Sequence, residues 1–102
     1  MSLAIYRIEE PMAEICISKK DENTFEVTVK AGRTTTHTVS LSEAYYQKLT
    51  GGQGTREGLI QASFEFLLER ESNSAILSQF DLPVIGQYFP EYERSIPSRL
   101  GS

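Results

Sequence analysis

Thr55-Arg-Glu-Gly-Leu-Ile-Gln-Ala-Ser-Phe-Glu-Phe-Leu-Leu-Glu-Arg70 decides how the rest of the chain must be arranged. At about 100° per residue, Leu59, Ile60, Ala62, Ser63, Phe64, Phe66, Leu67 and Leu68 cover well over half of a helical wheel. Gly58, Gln61, Glu65 and Glu69 form its one clear polar stripe. A helix apolar over so much of its circumference needs neighbours on two or three sides, so it is expected to be the core helix of a small domain. Thr55 is placed to cap it, its hydroxyl accepting a free backbone N–H, and Glu57 in the first turn suits the positive end of the helix dipole.

Upstream of this helix the hydrophobic period is two. In Ala13–Ser18, Ala13, Ile15 and Ile17 point one way and Glu14, Cys16 and Ser18 the other. Polar residues at 19–23 make a turn. In Thr24–Lys30, Phe25, Val27 and Val29 oppose Glu26, Thr28 and Lys30. Ala31-Gly32 is a tight turn in which glycine can take a positive φ. Arg33–Leu41 is rich in β-branched residues, with His37, Val39 and Leu41 opposite in parity to Thr36, Thr38 and Ser40. Short connections predict a three-stranded antiparallel meander with one apolar face. Ala4–Ile8 is a further candidate strand, stopped by Glu9-Glu10-Pro11.

Helical spacing follows. Ser40-Leu-Ser-Glu43 fits a capping box, Leu41, Ala44, Tyr45, Lys48 and Leu49 make a stripe, and Gly51 can end the helix in a left-handed conformation. After the core helix, Ser72–Ser74 offers a cap for a short helix carrying Ala75, Ile76, Leu77 and Phe80. Asp81 and Pro83 fit the start of another, with Val84, Ile85, Tyr88 and Phe89, which Pro90 breaks. Glu91–Ile96 is a candidate last turn, and 97–102 is read as a loose tail. Strands first and helices after predict one α+β domain over 1–102, a meander with three to four helices on one face. The other face, with Glu14, Cys16, Glu26, Thr28, Lys30, Thr36 and Thr38, would be wet or meet a partner.

At 102 residues the chain can build one core without staples. Its 39% apolar and 24% charged content is that of an ordinary globular protein. A net charge of −4 and a pI near 5.0 argue against a broad nucleic-acid surface. A single cysteine, Cys16, cannot close an internal disulfide, which makes a reducing cytoplasm the simplest compartment. No membrane-spanning run or signal peptide is read, and Met1-Ser2-Leu3 is set aside as a partial expression remnant.

Candidate chemistry is sparse. Cys16 and His37 are the one thiol and the one imidazole, and the alternation sends them to opposite faces, so neither a nucleophile–base pair nor a metal ligand set is expected, and no cofactor. Gly51-Gly-Gln-Gly-Thr55 precedes a helix N-terminus, where an anion could sit, but the lysine and hydroxyl of a phosphate loop do not follow. The reading is instead an interhelical hinge. Tyr88-Phe-Pro-Glu-Tyr-Glu93 is aromatic and acidic, and Tyr88, Tyr92, Glu91 and Glu93 are its candidate partner-binding residues. Against this stands a packing reading in which Tyr88 and Phe89 close the core.

Two resemblances add to this. Thr36-His-Thr-Val-Ser-Leu41, a helix, a glycine turn and Thr55-Arg-Glu-Gly-Leu-Ile-Gln-Ala62 resemble the ribbon-helix-helix repressors and antitoxins, over about a third of the chain. The resemblance implies a dimer whose paired strands enter the major groove, with Thr36, Thr38 and Ser40 as base readers and Thr55 with Arg56 as a phosphate clamp. From Phe25-Glu-Val-Thr-Val29 through Ser42–Gly52 and Phe64–Arg70 to Phe80–Ile85 and Tyr88–Tyr92, the chain also looks like a family of small uncharacterised bacterial proteins, which implies no activity. The expectation is therefore a non-enzymatic binding domain that engages protein, with a homodimer among its forms. A ribbon-helix-helix-like DNA-binding regulator is the alternative.

Overall fold

The alternation of Phe25, Val27 and Val29 produces a strand whose inner side chains are fully buried. It is the second of three antiparallel strands, β1 (Glu14–Asp21), β2 (Thr24–Ala31) and β3 (Arg33–Ser40). The structure, a computed structural model, describes residues 13–101; the candidate strand Ala4–Ile8 lies outside them. Asp21 Oδ1 accepts the Asn23 N–H at 3.1 Å in the first turn, and Gly32 takes φ +84° in the second. The register aligns Ile17, Val27 and His37 on the inner face and Cys16, Thr28 and Thr36 on the outer one.

Helices α1 (Glu43–Thr50), α2 (Arg56–Leu68), α3 (Val84–Tyr88) and α4 (Tyr92–Gly101) follow, giving the α+β order expected from the periodicity. The stretch that begins at Thr55 is indeed the core helix. Leu59, Ile60, Phe64 and Phe66 are fully buried, and Ala62, Ser63 and Leu67 nearly so. Its N-terminus is made as the sequence suggests. Thr55 Oγ1 accepts the Gly58 N–H at 2.9 Å, while the C-terminus simply runs out through right-handed Glu69. On one side α2 meets the sheet, where Phe64 lies 5.5 Å from the His37 ring and 6.1 Å from Phe80, centre to centre. On the other it meets α4, where Phe66 lies 5.3 Å from Tyr92. The Arg70 guanidinium, 3.7 Å above the Phe66 ring, closes that side from solvent.

Four local expectations are corrected. Residues 75–80 are not a helix: Asn73–Ala75 is one 3-10 turn, and Gln79–Asp81 is a fourth strand, β4, parallel to β3 at Thr38–Ser40. The Asn73 side chain draws this segment along the sheet instead, donating to the carbonyls of Val29 at 3.2 Å and Arg33 at 2.8 Å. Asp81 is accordingly a strand residue, its carboxylate accepting from the Ser40 hydroxyl, and Pro83 stands at the N-cap of α3. Ser40, still in β3, is not the cap of α1. Ser42 is, accepting the Tyr45 N–H at 3.1 Å. Finally, 97–101 is no loose tail. Helix α4 continues through Pro97 to Gly101, with Tyr92 and Ile96 fully buried and Leu100 against the core at intervals of four residues.

Phe66→Ala or Leu67→Ala should each destabilise the fold by about 2–5 kcal/mol, the cost of a large buried side chain plus its cavity. A loss below about 1 kcal/mol at both sites in urea denaturation would remove α2 from the centre of the core. A second expectation concerns pH. Burial raises the Tyr92 hydroxyl above the ordinary phenol range, and burial with a hydrogen bond to Glu93 does the same for Tyr45. Unfolded phenols ionise near pH 10 whereas the folded ones keep their protons, so the unfolded state binds fewer protons above that value. Stability from this source is complete below about pH 10 and falls as pH rises beyond it. Denaturant titrations between neutral and strongly alkaline pH should show the fall, and Tyr92→Phe should flatten it.

Candidate functional site

The end of α2, the segment after it and α3 enclose a groove of about 380 Å³ beside β4. Leu67 and Glu71 form one wall, Ala75, Ile76 and Leu77 a second, and Val84, Ile85, Tyr88 and Phe89 a third, with Phe80 at the base. The second wall is fixed by long-range polar contacts. Asn73, nearly buried, ties the 3-10 turn to β2 and β3. His37 holds the next stretch: its Nδ1 lies 2.7 Å from the Leu77 carbonyl. A carbonyl can only accept, so Nδ1 carries a proton and donates it, while Nε2 on the other side of the ring lies 2.8 Å from the Thr35 hydroxyl. The third wall rests on Phe89, packed edge-on against Phe66 at 5.9 Å.

Leu77 is 46% exposed and Tyr88 65%, and they are the large apolar side chains that stand exposed among the described residues. Both belong to this groove. Of the four aromatic and acidic candidates, Tyr88 alone reaches it. Tyr92 is fully buried, its hydroxyl 2.6 Å from Ser63 Oγ, and is a packing residue. Glu91 pairs with Arg70 at 3.1 Å, and Glu93 accepts from the Tyr45 hydroxyl at 2.7 Å with Lys48 at 3.4 Å. The Tyr45 hydroxyl, followed by Lys48, holds the Glu93 carboxyl below its ordinary range. These two glutamates fasten α4 to its neighbours.

The ribbon-helix-helix residues are differently occupied. Thr36, Thr38 and Ser40 do share the open face of the sheet, but β3 pairs with β2 along its whole length and with β4 at Thr38–Ser40. Arg56, with only 22% of its side chain exposed, is engaged inside the fold. It donates to the Glu22 carbonyl at 3.0 Å and to Asn23 Oδ1 at 2.9 Å, reaches the Leu41 carbonyl at 3.4 Å, and pairs with Glu43. It also lies 5.5 Å over the Tyr46 ring. Thr55, offered as the other half of a clamp, spends its hydroxyl on the cap.

Gly51, Gly52 and Gly54 all take positive φ, and the loop is wired inward: Tyr46 donates to the Gly54 carbonyl at 2.7 Å and Thr50 Oγ1 accepts the Gly52 N–H at 3.0 Å. Cys16 is exposed on the outer face, opposite the buried His37. Among the described residues no group of three or more His, Cys, Asp or Glu could hold a metal ion, and no helix is long and apolar enough to cross a membrane. Comparison with protein-family models, with curated proteins and with solved structures finds no match for this chain.

Sequence reading missed Leu77, Ile76 and Phe80 as groove residues because it put them on one helix. Ile76 and Leu77 are both apolar, so the sequence carries no alternation there, and only the fold buries the first and exposes the second. Asn73→Ala should cost about 1–3 kcal/mol by leaving the Val29 and Arg33 carbonyls without their donor. Hydrogen exchange should then quicken between Ala75 and Leu77 before it does in β2; equal quickening in both would mean Asn73 does not anchor this wall.

Proposed function

We propose that this is a non-enzymatic binding domain that engages another protein through the groove between the end of α2, the 75–80 segment and α3. One observation carries the reading: both exposed large apolar residues of the described chain, Leu77 and Tyr88, stand on the lips of the same apolar groove. Such residues scattered singly on a surface would need no explanation, but gathered at a concave site they extend its apolar surface outward. A small molecule would be served by the cavity alone. Exposed lips suit a partner that lies across it.

DNA binding through β3 is the weaker reading. The strand's backbone is already bonded on one side throughout and on the other at its end. Arg56 is turned inward, and the net charge of −4 disfavours a polyanion. Catalysis by a thiol–imidazole pair is weaker still, with Cys16 and His37 on opposite faces of the sheet.

A photo-crosslinking residue at Tyr88 should yield a discrete protein adduct in cells, absent when Leu77→Asp is combined with it. The same residue at Thr36 on the open sheet face should yield none. Adducts from Thr36 but not Tyr88, or none from either, would overturn the groove as the binding site. Titration with mixed-sequence duplex DNA at low and moderate salt should give no salt-sensitive binding, and Thr38→Ala should change nothing. Tight salt-dependent binding would favour the DNA reading.

A further inference from the structure

Four glutamates are half-buried among the described residues: Glu26, Glu71, Glu91 and Glu93. Three hold a cation, Glu26 with Lys20 at 3.8 Å, Glu91 with Arg70 at 3.1 Å and Glu93 with Lys48 at 3.4 Å. Glu71 holds none, and it is the one acidic side chain lining the groove. The adjacent Arg70 does not serve it, being shared between Glu69 at 3.3 Å and Glu91. A carboxylate kept in a half-apolar wall without a counter-charge favours an occupant that brings one. The net charge of −4 attracts the same kind of partner from a distance.

Building on the groove as the protein-binding site, we propose that its occupant is a basic apolar segment of another protein. A branched or aromatic side chain fills the space between Leu67, Phe80 and Ile85, and a lysine or arginine within a few residues of it pairs with Glu71. The volume of about 380 Å³ lies at the small end of ligand pockets, roughly 300–1,000 Å³. It accommodates a short anchor rather than a long helix face. Specificity then comes from the pairing of two unlike requirements, because an apolar segment flanked by acids would meet Glu71 with like charge.

The test is selection from a phage-displayed library of random dodecapeptides on the full chain, with Leu77→Asp as the counter-screen. Selected peptides are then titrated as synthetic peptides against the wild type, Glu71→Gln and Glu71→Lys, with thermal unfolding to establish that each variant folds. The expected peptides carry leucine, isoleucine or phenylalanine near lysine or arginine. Their affinity should fall roughly two- to fivefold in Glu71→Gln, the range of a partly solvated ion pair, and further in Glu71→Lys. It should also weaken with added salt. Peptides that need Leu77 but are neutral or acidic, or that bind Glu71→Gln as well as the wild type, would overturn the basic occupant and leave the groove standing. Failure to select any peptide that distinguishes Leu77→Asp from the wild type would overturn both.

Discussion

Everything in this fold depends on burying α2 from two opposite sides. A helix with Phe64 toward the sheet and Phe66 toward α4 cannot lie on a surface, since either side left open would expose an aromatic ring and its aliphatic neighbours, at about 25 cal/mol per Å². The meander supplies one cover and α4 the other. That requirement explains why α4 persists through Pro97: Tyr92, Ile96 and Leu100 are needed against α2, and their burial outweighs the lost N–H and the ring's crowding of the preceding turn. Arg70 and Arg99, 3.7 and 5.5 Å from the Phe66 ring, complete the enclosure where no further element is present in the described chain.

The polar groups drawn into this core are all provided for. No buried side-chain nitrogen or oxygen among the described residues lacks a partner. Ser63 donates within its own helix to the Leu59 carbonyl at 2.8 Å and meets the Tyr92 hydroxyl, so the contact between α2 and α4 has a fixed register as well as an apolar seam. His37 and Asn73 do the same for the segment that leaves α2. They replace the helical hydrogen bonds this segment forgoes, and in doing so hold the carbonyls and side chains that shape the groove. The stability of this segment and the shape of the groove are thus linked through the same two residues.

The charged groups divide along the same line. Glu69, Glu91, Glu93 and Glu43 serve cations that belong to the fold, and the hydrogen bond from Arg99 foremost keeps the Glu69 carboxyl below its ordinary range. Surface pairs of this kind contribute little each, commonly about 0–1 kcal/mol, but they fix where α1, α2 and α4 end relative to one another. Glu71 stands outside this network, in the groove that carries the exposed large apolar side chains of the described residues, Leu77 and Tyr88.

The sequence by itself determined the α+β order, the inner face of the three strands and the core helix. These rest on periodicity, which is a local property: Phe25, Val27 and Val29 alternate whatever they later touch, and Leu59–Leu68 is apolar over too much of a turn to be anything but central. Caps at Thr55 and the left-handed Gly51 were legible for the same reason, each needing only its neighbours. Tertiary structure alone decided the rest. Gln79–Asp81 became a strand because β3 offered free backbone at Thr38–Ser40 and Asn73 led the chain there, facts about residues some forty positions away. Arg56 looked like a free cation until the β1–β2 turn arrived beneath it with the Glu22 carbonyl and Asn23. Tyr88 and Tyr92 are the same residue type four positions apart, yet one is exposed at the groove and the other sealed against Ser63, because α3 ends between them and the chain turns. A groove made by elements distant in sequence has no periodicity to read; it exists only once burial of α2 has brought its walls together.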